Sequence, residues 1–90
     1  MLYMVIEHFN EGAARETYCR AREKGRMLPE GLEYVSSWVD FEFKTCYQLM
    51  RTDDPSLFSV WIKAWEDLCS FDIVPVRTSA EAAAAIAAKS

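Results

Sequence analysis

Apolar and polar positions along the chain switch between the period of a strand and that of a helix. Leu2 to Phe9, LYMVIEHF, is rich in β-branched and aromatic residues and predicts a first strand. Leu2, Met4, Ile6 and His8 fall on one face, and Tyr3, Val5, Glu7 and Phe9 on the other. Both faces are largely apolar, as expected of a strand covered on both sides. The period then lengthens. Ala14, Tyr18, Ala21 and Gly25 share one helical face, while Arg15, Arg20, Glu23 and Lys24 take the others. Asn10 is placed to cap this helix, Glu11 suits its first turn, and Gly25 ends it. Arg26 to Gly31 is a connection broken by Pro29 and Gly31.

Two further strand runs follow, Leu32 to Phe41 and Lys44 to Arg51, joined by a short turn into an antiparallel hairpin. Strict alternation puts Tyr34, Ser36 and Trp38 on one face of the first, and Cys46, Gln48 and Met50 on one face of the second. Asp53 to Cys69, DDPSLFSVWIKAWEDLC, then predicts a second helix. Trp61 and Trp65 lie four residues apart on its apolar stripe, extended by Leu57, Phe58 and Leu68. Asp54 is its expected N-cap, with Pro55 at the first helical position. Ser70 to Arg77 reads as a fourth strand, which Pro75 restricts to a sheet edge. Thr78 and Glu81 form a capping box before an alanine-rich helical tail, residues 78–90.

The element order is β-α-β-β-α-β with an extra C-terminal helix. It predicts an α+β, ferredoxin-like domain over residues 1–90: a four-stranded antiparallel sheet with two helices on one face. The other sheet face would expose a large apolar patch in a monomer. A homodimer that buries this helix-free face is therefore expected.

Composition narrows the partners. A net charge of −4 and a pI near 4.9 oppose nucleic acid, whose phosphates are bound by clustered Lys and Arg. The basic residues that gather between Arg15 and Arg26 are interleaved with Glu16 and Glu23 and read as a solvated helix face. Cys19, Cys46 and Cys69 are odd in number and widely spaced, forming neither a disulfide framework nor a zinc pattern. With no signal-peptide pattern at Met1 and no apolar run long enough to span a bilayer, a cytoplasmic protein is expected, without a membrane partner.

Five side chains carry the candidate chemistry. Trp38, Trp61 and Trp65 can line an aromatic cavity for a small planar ligand, or simply fill the core over the sheet. Gln48 sits mid-strand among apolar neighbours. A buried amide must be hydrogen-bonded, either to a ligand or between sheet and helix. His8 is the single histidine and the weak catalytic candidate, as a general base or haem ligand, against a partly buried imidazole satisfied by a neighbour. Glu7 reads as one half of a structural ion pair with Arg26 or Arg51, and Cys46 as an inert buried thiol. No metal site is called for, and no cofactor.

The strand MLYMVIEHF, the segment PEGLEYVSSWVD, the strand CYQLM followed by TDDP, the Trp61–Trp65 pair and DIVPVRTSAEA together resemble a family of small bacterial proteins known only as a domain of unknown function. That family belongs to the dimeric α/β-barrel superfamily. The resemblance implies a fold and a dimer, and it brings no catalytic residue with it. Members of the superfamily include cofactor-independent monooxygenases, haem-degrading enzymes and muconolactone isomerase-like proteins, with ligands between sheet and helices. It thus implies at most a pocket for a small apolar or aromatic ligand, lined by His8, Trp38, Gln48, Trp61 and Trp65. The alternative is a non-enzymatic dimerisation or regulatory module.

Overall fold

The computed structural model describes residues 1–89; Ser90, the last position of the expected tail, lies outside them. The strands are β1 (Leu2–Phe9), β2 (Glu33–Val39), β3 (Thr45–Arg51) and β4 (Cys69–Val76). The helices are α1 (Ala14–Lys24), α2 (Leu57–Ile62) and α3 (Ser79–Lys89). The strands form one antiparallel sheet in the order β2-β3-β1-β4. This is an α+β architecture compatible with the ferredoxin-like arrangement. β4 is an edge strand, where the missing N–H of Pro75 disrupts no interior ladder.

One face of the sheet meets the helices. Tyr3, Val5 and Met50 from the strands join Leu32, Phe58, Trp61 and Trp65 in the main core, and Phe71 and Ile73 of β4 pack at its border. Tyr3 meets Phe58, and Trp61 meets Phe71, in edge-on ring contacts with centroids 5.1 and 5.2 Å apart. A smaller cluster of Ala13, Leu68 and Cys69, flanked by Phe9 and Phe71, closes the end of the sheet nearest the start of α1. No residue of the opposite sheet face belongs to either cluster. α3 buries none of its residues, although its Thr78–Glu81 capping box forms as expected, with Glu81 N–H donating to Thr78 Oγ1 at 3.1 Å.

Three local expectations are corrected. Asn10 does not cap α1: the helix starts after Ala13, and the Asn10 side chain donates to the Asp67 carbonyl at 3.2 Å. α2 is six residues long and stops well short of the expected end near Cys69. Bonds of i→i+3 type tighten the chain at its start, at Leu57, Phe58 and Ser59, and again after it, at Ala64, Trp65 and Leu68. The third correction is in β2. Tyr34 pairs with Met50 and Ser36 with Leu49, so Val35 is an extra residue, a β-bulge. The bulge reverses the alternation: Tyr34 shares the helix-side face with Ser37 and Val39, while Ser36 and Trp38 point the other way.

Candidate functional site

The site is built on the odd-numbered face of β1. Val5, at the sheet centre, is fully buried, and Glu7, two residues on, brings a carboxyl onto the same apolar face with 5% exposure. The β1–β3 register sets Val5 opposite Gln48 and Glu7 opposite Cys46. From the diagonal position, Gln48 Nε2 donates to Glu7 Oε1 at 2.8 Å. Gln48 Oε1 accepts in turn from Arg26 Nε at 3.4 Å, so an amide links carboxyl to guanidinium. Burial pushes the Glu7 pKa upward. Hydrogen bonds from Cys69, Gln48 and Cys46 and the charge of Arg26 oppose that shift without cancelling it.

Arg26 owes its position to the end of α1. Gly25 caps the helix at φ 67°, ψ −163°, a conformation that L side chains rarely adopt, and Met27 follows at φ 57°. The turn presents the Arg26 carbonyl to α2, where the indole N–H groups of Trp61 and Trp65 both donate to it, at 2.9 and 3.1 Å. Each indole donor is thereby satisfied inside the protein. The Arg26 guanidinium reaches back over the sheet. It lies 3.6 Å from the centroid of the Tyr34 ring, with Nη2 3.4 Å from Ser37 Oγ, and the Tyr34 hydroxyl meets that same Oγ at 2.7 Å. The bulge at Val35 puts Tyr34 and Ser37 on this face.

Between α1 and the sheet lies an open-sided cleft of about 360 Å³. Glu7 and Gln48 form its polar floor, Trp61 and Trp65 one wall, and Tyr18 and Ala21 of α1 the other, with Arg22 and Arg26 also lining it. Arg20 fastens α1 to the α2 side. It pairs with both carboxylate oxygens of Asp67 at 2.8 and 2.7 Å, donates to the Ala64 carbonyl at 2.8 Å and lies over the Trp65 ring. The basic face of α1 is thus only partly a solvated one.

Of the five predicted lining residues, Gln48, Trp61 and Trp65 come together here. His8 and Trp38 do not. His8 belongs to the even-numbered face of β1, away from the helices, where Nε2 lies 2.9 Å from Asp72 Oδ2. Trp38 is turned to the same face by the bulge, opposite Tyr47 and 55% exposed. Glu7, read as an ion-pair member, instead takes an amide partner and lines the cleft. Arg51, the other partner considered for it, pairs with Glu33. Cys46 and Cys69 are buried thiols, each pushed up to about 12, first by burial and next by the Glu7 charge. They are protonated and unreactive near neutrality. Among the described residues no group of three or more His, Cys, Asp or Glu side chains is placed to hold a metal ion. None of the described helices is long and apolar enough to cross a membrane.

One signal in the sequence marked the centre of this site: Glu7, a lone charge within an otherwise apolar strand. Arg26 left no such trace, because its place depends on the turn after Gly25. A family model described as "Domain of unknown function (DUF3303)" matches residues 1–90. No curated protein and no solved structure matches the chain.

Proposed function

The chain belongs to the DUF3303 family, and from that premise, which assigns no activity, we propose that it binds a small ligand in the cleft between α1 and the sheet. The observation that carries this is the composition of the cleft: indole and aromatic walls around one buried hydrogen-bonding unit, Glu7–Gln48. That is the make-up of small-molecule sites, and about 360 Å³ falls within their usual range. Both indole donors already end on the Arg26 carbonyl, so Trp61 and Trp65 bring apolar edges and no free N–H to the cleft, and Tyr18 is its exposed aromatic wall. A planar apolar body fits such walls, and its polar end would meet Glu7 and Gln48. If the family resemblance extends to cofactor-free chemistry, Glu7, held toward its protonated form, is the group in the cleft placed to exchange a proton.

The test is native mass spectrometry of the full chain, alone and with a library of aromatic fragments, beside Ala21→Leu. That substitution adds bulk at a partly buried wall position. Mass increments on the parent protein that disappear in A21L are expected. Increments that survive in A21L, or none from the library, would sink the reading.

A second reading concerns assembly and is compatible with the first. We propose a homodimer formed through the helix-free sheet face, giving the dimeric α/β barrel that the sequence suggests. Trp38, Tyr47 and Val74 are exposed there, and Leu2, Met4, Ile6, Leu49 and Val76 are only partly covered. Apolar side chains from all four strands on one face without helices are a common mark of a self-association surface, here interrupted by Ser36 and the His8–Asp72 pair. Analytical ultracentrifugation decides it: a single monomeric species at micromolar concentration would remove this reading.

A further inference from the structure

The charges around the cleft narrow the ligand class. Three charge-bearing side chains line it: Glu7 on the floor, and Arg22 and Arg26, whose residues are exposed. Five ion pairs occur among the described residues, and neither Arg22 nor Arg26 belongs to any of them. Their hydrogen bonds are long, although the Arg26 guanidinium also stacks 3.6 Å from the centroid of the Tyr34 ring. Arg22 Nη2 lies 3.7 Å from Cys19 Sγ, and the two hydrogen bonds of Arg26 are both 3.4 Å long. A guanidinium has five N–H donors, so each retains donors for a ligand. Past Arg22 the surface continues as a shallow apolar groove lined by Tyr18 and Phe43, with Arg15 beside it. In a chain of net charge −4, this concentration of unpaired arginines runs against the overall balance.

Resting on the reading of the cleft as a ligand site, we propose that its ligand is an organic anion: an aromatic or alicyclic carboxylate whose body lies against Trp61 and Trp65 and whose carboxylate is taken by Arg22 and Arg26. A planar guanidinium matches a carboxylate in a two-pronged geometry that a lysine cannot reproduce. Burial of Glu7 favours its protonated form, which lowers the repulsion that a second negative charge would otherwise meet. The Gln48 amide beside it supplies a hydrogen-bonding group for a carbonyl or hydroxyl at the inner end of the ligand.

The test uses the ¹⁵N-labelled full chain, with the Trp61 and Trp65 indole N–H resonances as reporters of the cleft. The probes are trans-cinnamate and trans-cinnamamide, then a panel of aromatic acids with their matched primary amides. The acids are expected to bind roughly tenfold more tightly than the amides, the factor that one charge-assisted hydrogen bond supplies. Arg22→Gln and Arg26→Gln should each reduce that preference, read as the ratio of acid to amide affinity within each variant. Both substitutions keep the backbone carbonyl on which the indoles rest. Acids and amides binding equally, or an acid preference untouched by both substitutions, would overturn the anion assignment and leave the cleft as a ligand site. A panel in which no member moves either indole resonance would overturn both.

Discussion

Gln48 Nε2 donates to Glu7 Oε1 across 2.8 Å at a point where burial favours the protonated carboxyl. The amide needs an acceptor oxygen at that position, which either protonation state supplies. A glutamate whose folded-state pKa is raised contributes stability that is fully present below its unfolded value, near the ordinary 4.5, and is lost as pH rises through the folded value. Glu7→Gln keeps the acceptor and removes the titration. Urea unfolding as a function of pH should show E7Q gaining on the parent protein from about pH 4.5 upward. Glu7→Leu should instead lose about 1–3 kcal/mol at pH 4, because it removes the acceptor of the buried Gln48 amide. Parallel pH profiles for parent and E7Q would contradict the raised pKa.

Trp61 is 2% exposed and fills the space between Val5, Phe71 and the Arg26 turn. Trp61→Ala should cost about 3–5 kcal/mol, the usual range for deleting a large buried aromatic. The midpoint of chemical unfolding measures this directly. A loss below about 1 kcal/mol would mean that the site collapses freely around the cavity.

Arg20 holds Asp67 through two short hydrogen bonds, and that guanidinium draws the Asp67 carboxyl below its usual range. Carboxyl titration by NMR should show the Asp67 pKa rising toward the ordinary 3.8 in Arg20→Ala. The Trp65 indole resonance should shift as well, since the cation over its ring is removed. An unchanged Asp67 titration would show that the pair does not persist in solution.

The thiols divide by environment. Cys46 and Cys69 are buried, with pKa values pushed up to about 12, whereas Cys19 is partly exposed on α1. Iodoacetamide at pH 8 should therefore modify Cys19 first, with one adduct per folded chain and three after denaturation. Peptide mapping locates the adduct. Early labelling of Cys69 would indicate that α1 lifts off the sheet on the timescale of the reaction.

Trp38 on the helix-free face provides the test of assembly. Trp38→Lys should weaken a sheet-to-sheet dimer by placing an ammonium on the face that the dimer would bury. The stability of the monomer should change only within about 0.5 kcal/mol, as for other exposed positions. Sedimentation and chemical unfolding, run on one preparation, report the two effects separately.

Much of this fold was legible in the chain because each strand and turn carried its own local signal. Pro75 required an edge, Gly25 a helix end, and Thr78 with Glu81 a cap, and each is where local chemistry put it. The limits of α2 were less legible, since the apolar stripe from Leu57 to Leu68 persists where the backbone has tightened into i→i+3 turns. The candidate site was half legible. Gln48, Trp61 and Trp65 were found from their spacing and setting, but Arg26 and Tyr34 meet only through a turn and a bulge that periodicity does not encode.

The extra residue in β2 has a consequence for the family as a whole. Because side chains alternate strictly along a strand, one inserted residue acts as a phase switch for everything after it. Removing Val35 while keeping the pairing beyond Tyr34 would leave Ser36, Ser37, Trp38 and Val39 opposite the same partners and on the same faces. Relatives that lack this residue and keep this pairing should therefore show a single gap there, with the polarity of those four positions unchanged. A gap elsewhere in β2 would instead turn the residues between it and Val35 to the opposite face.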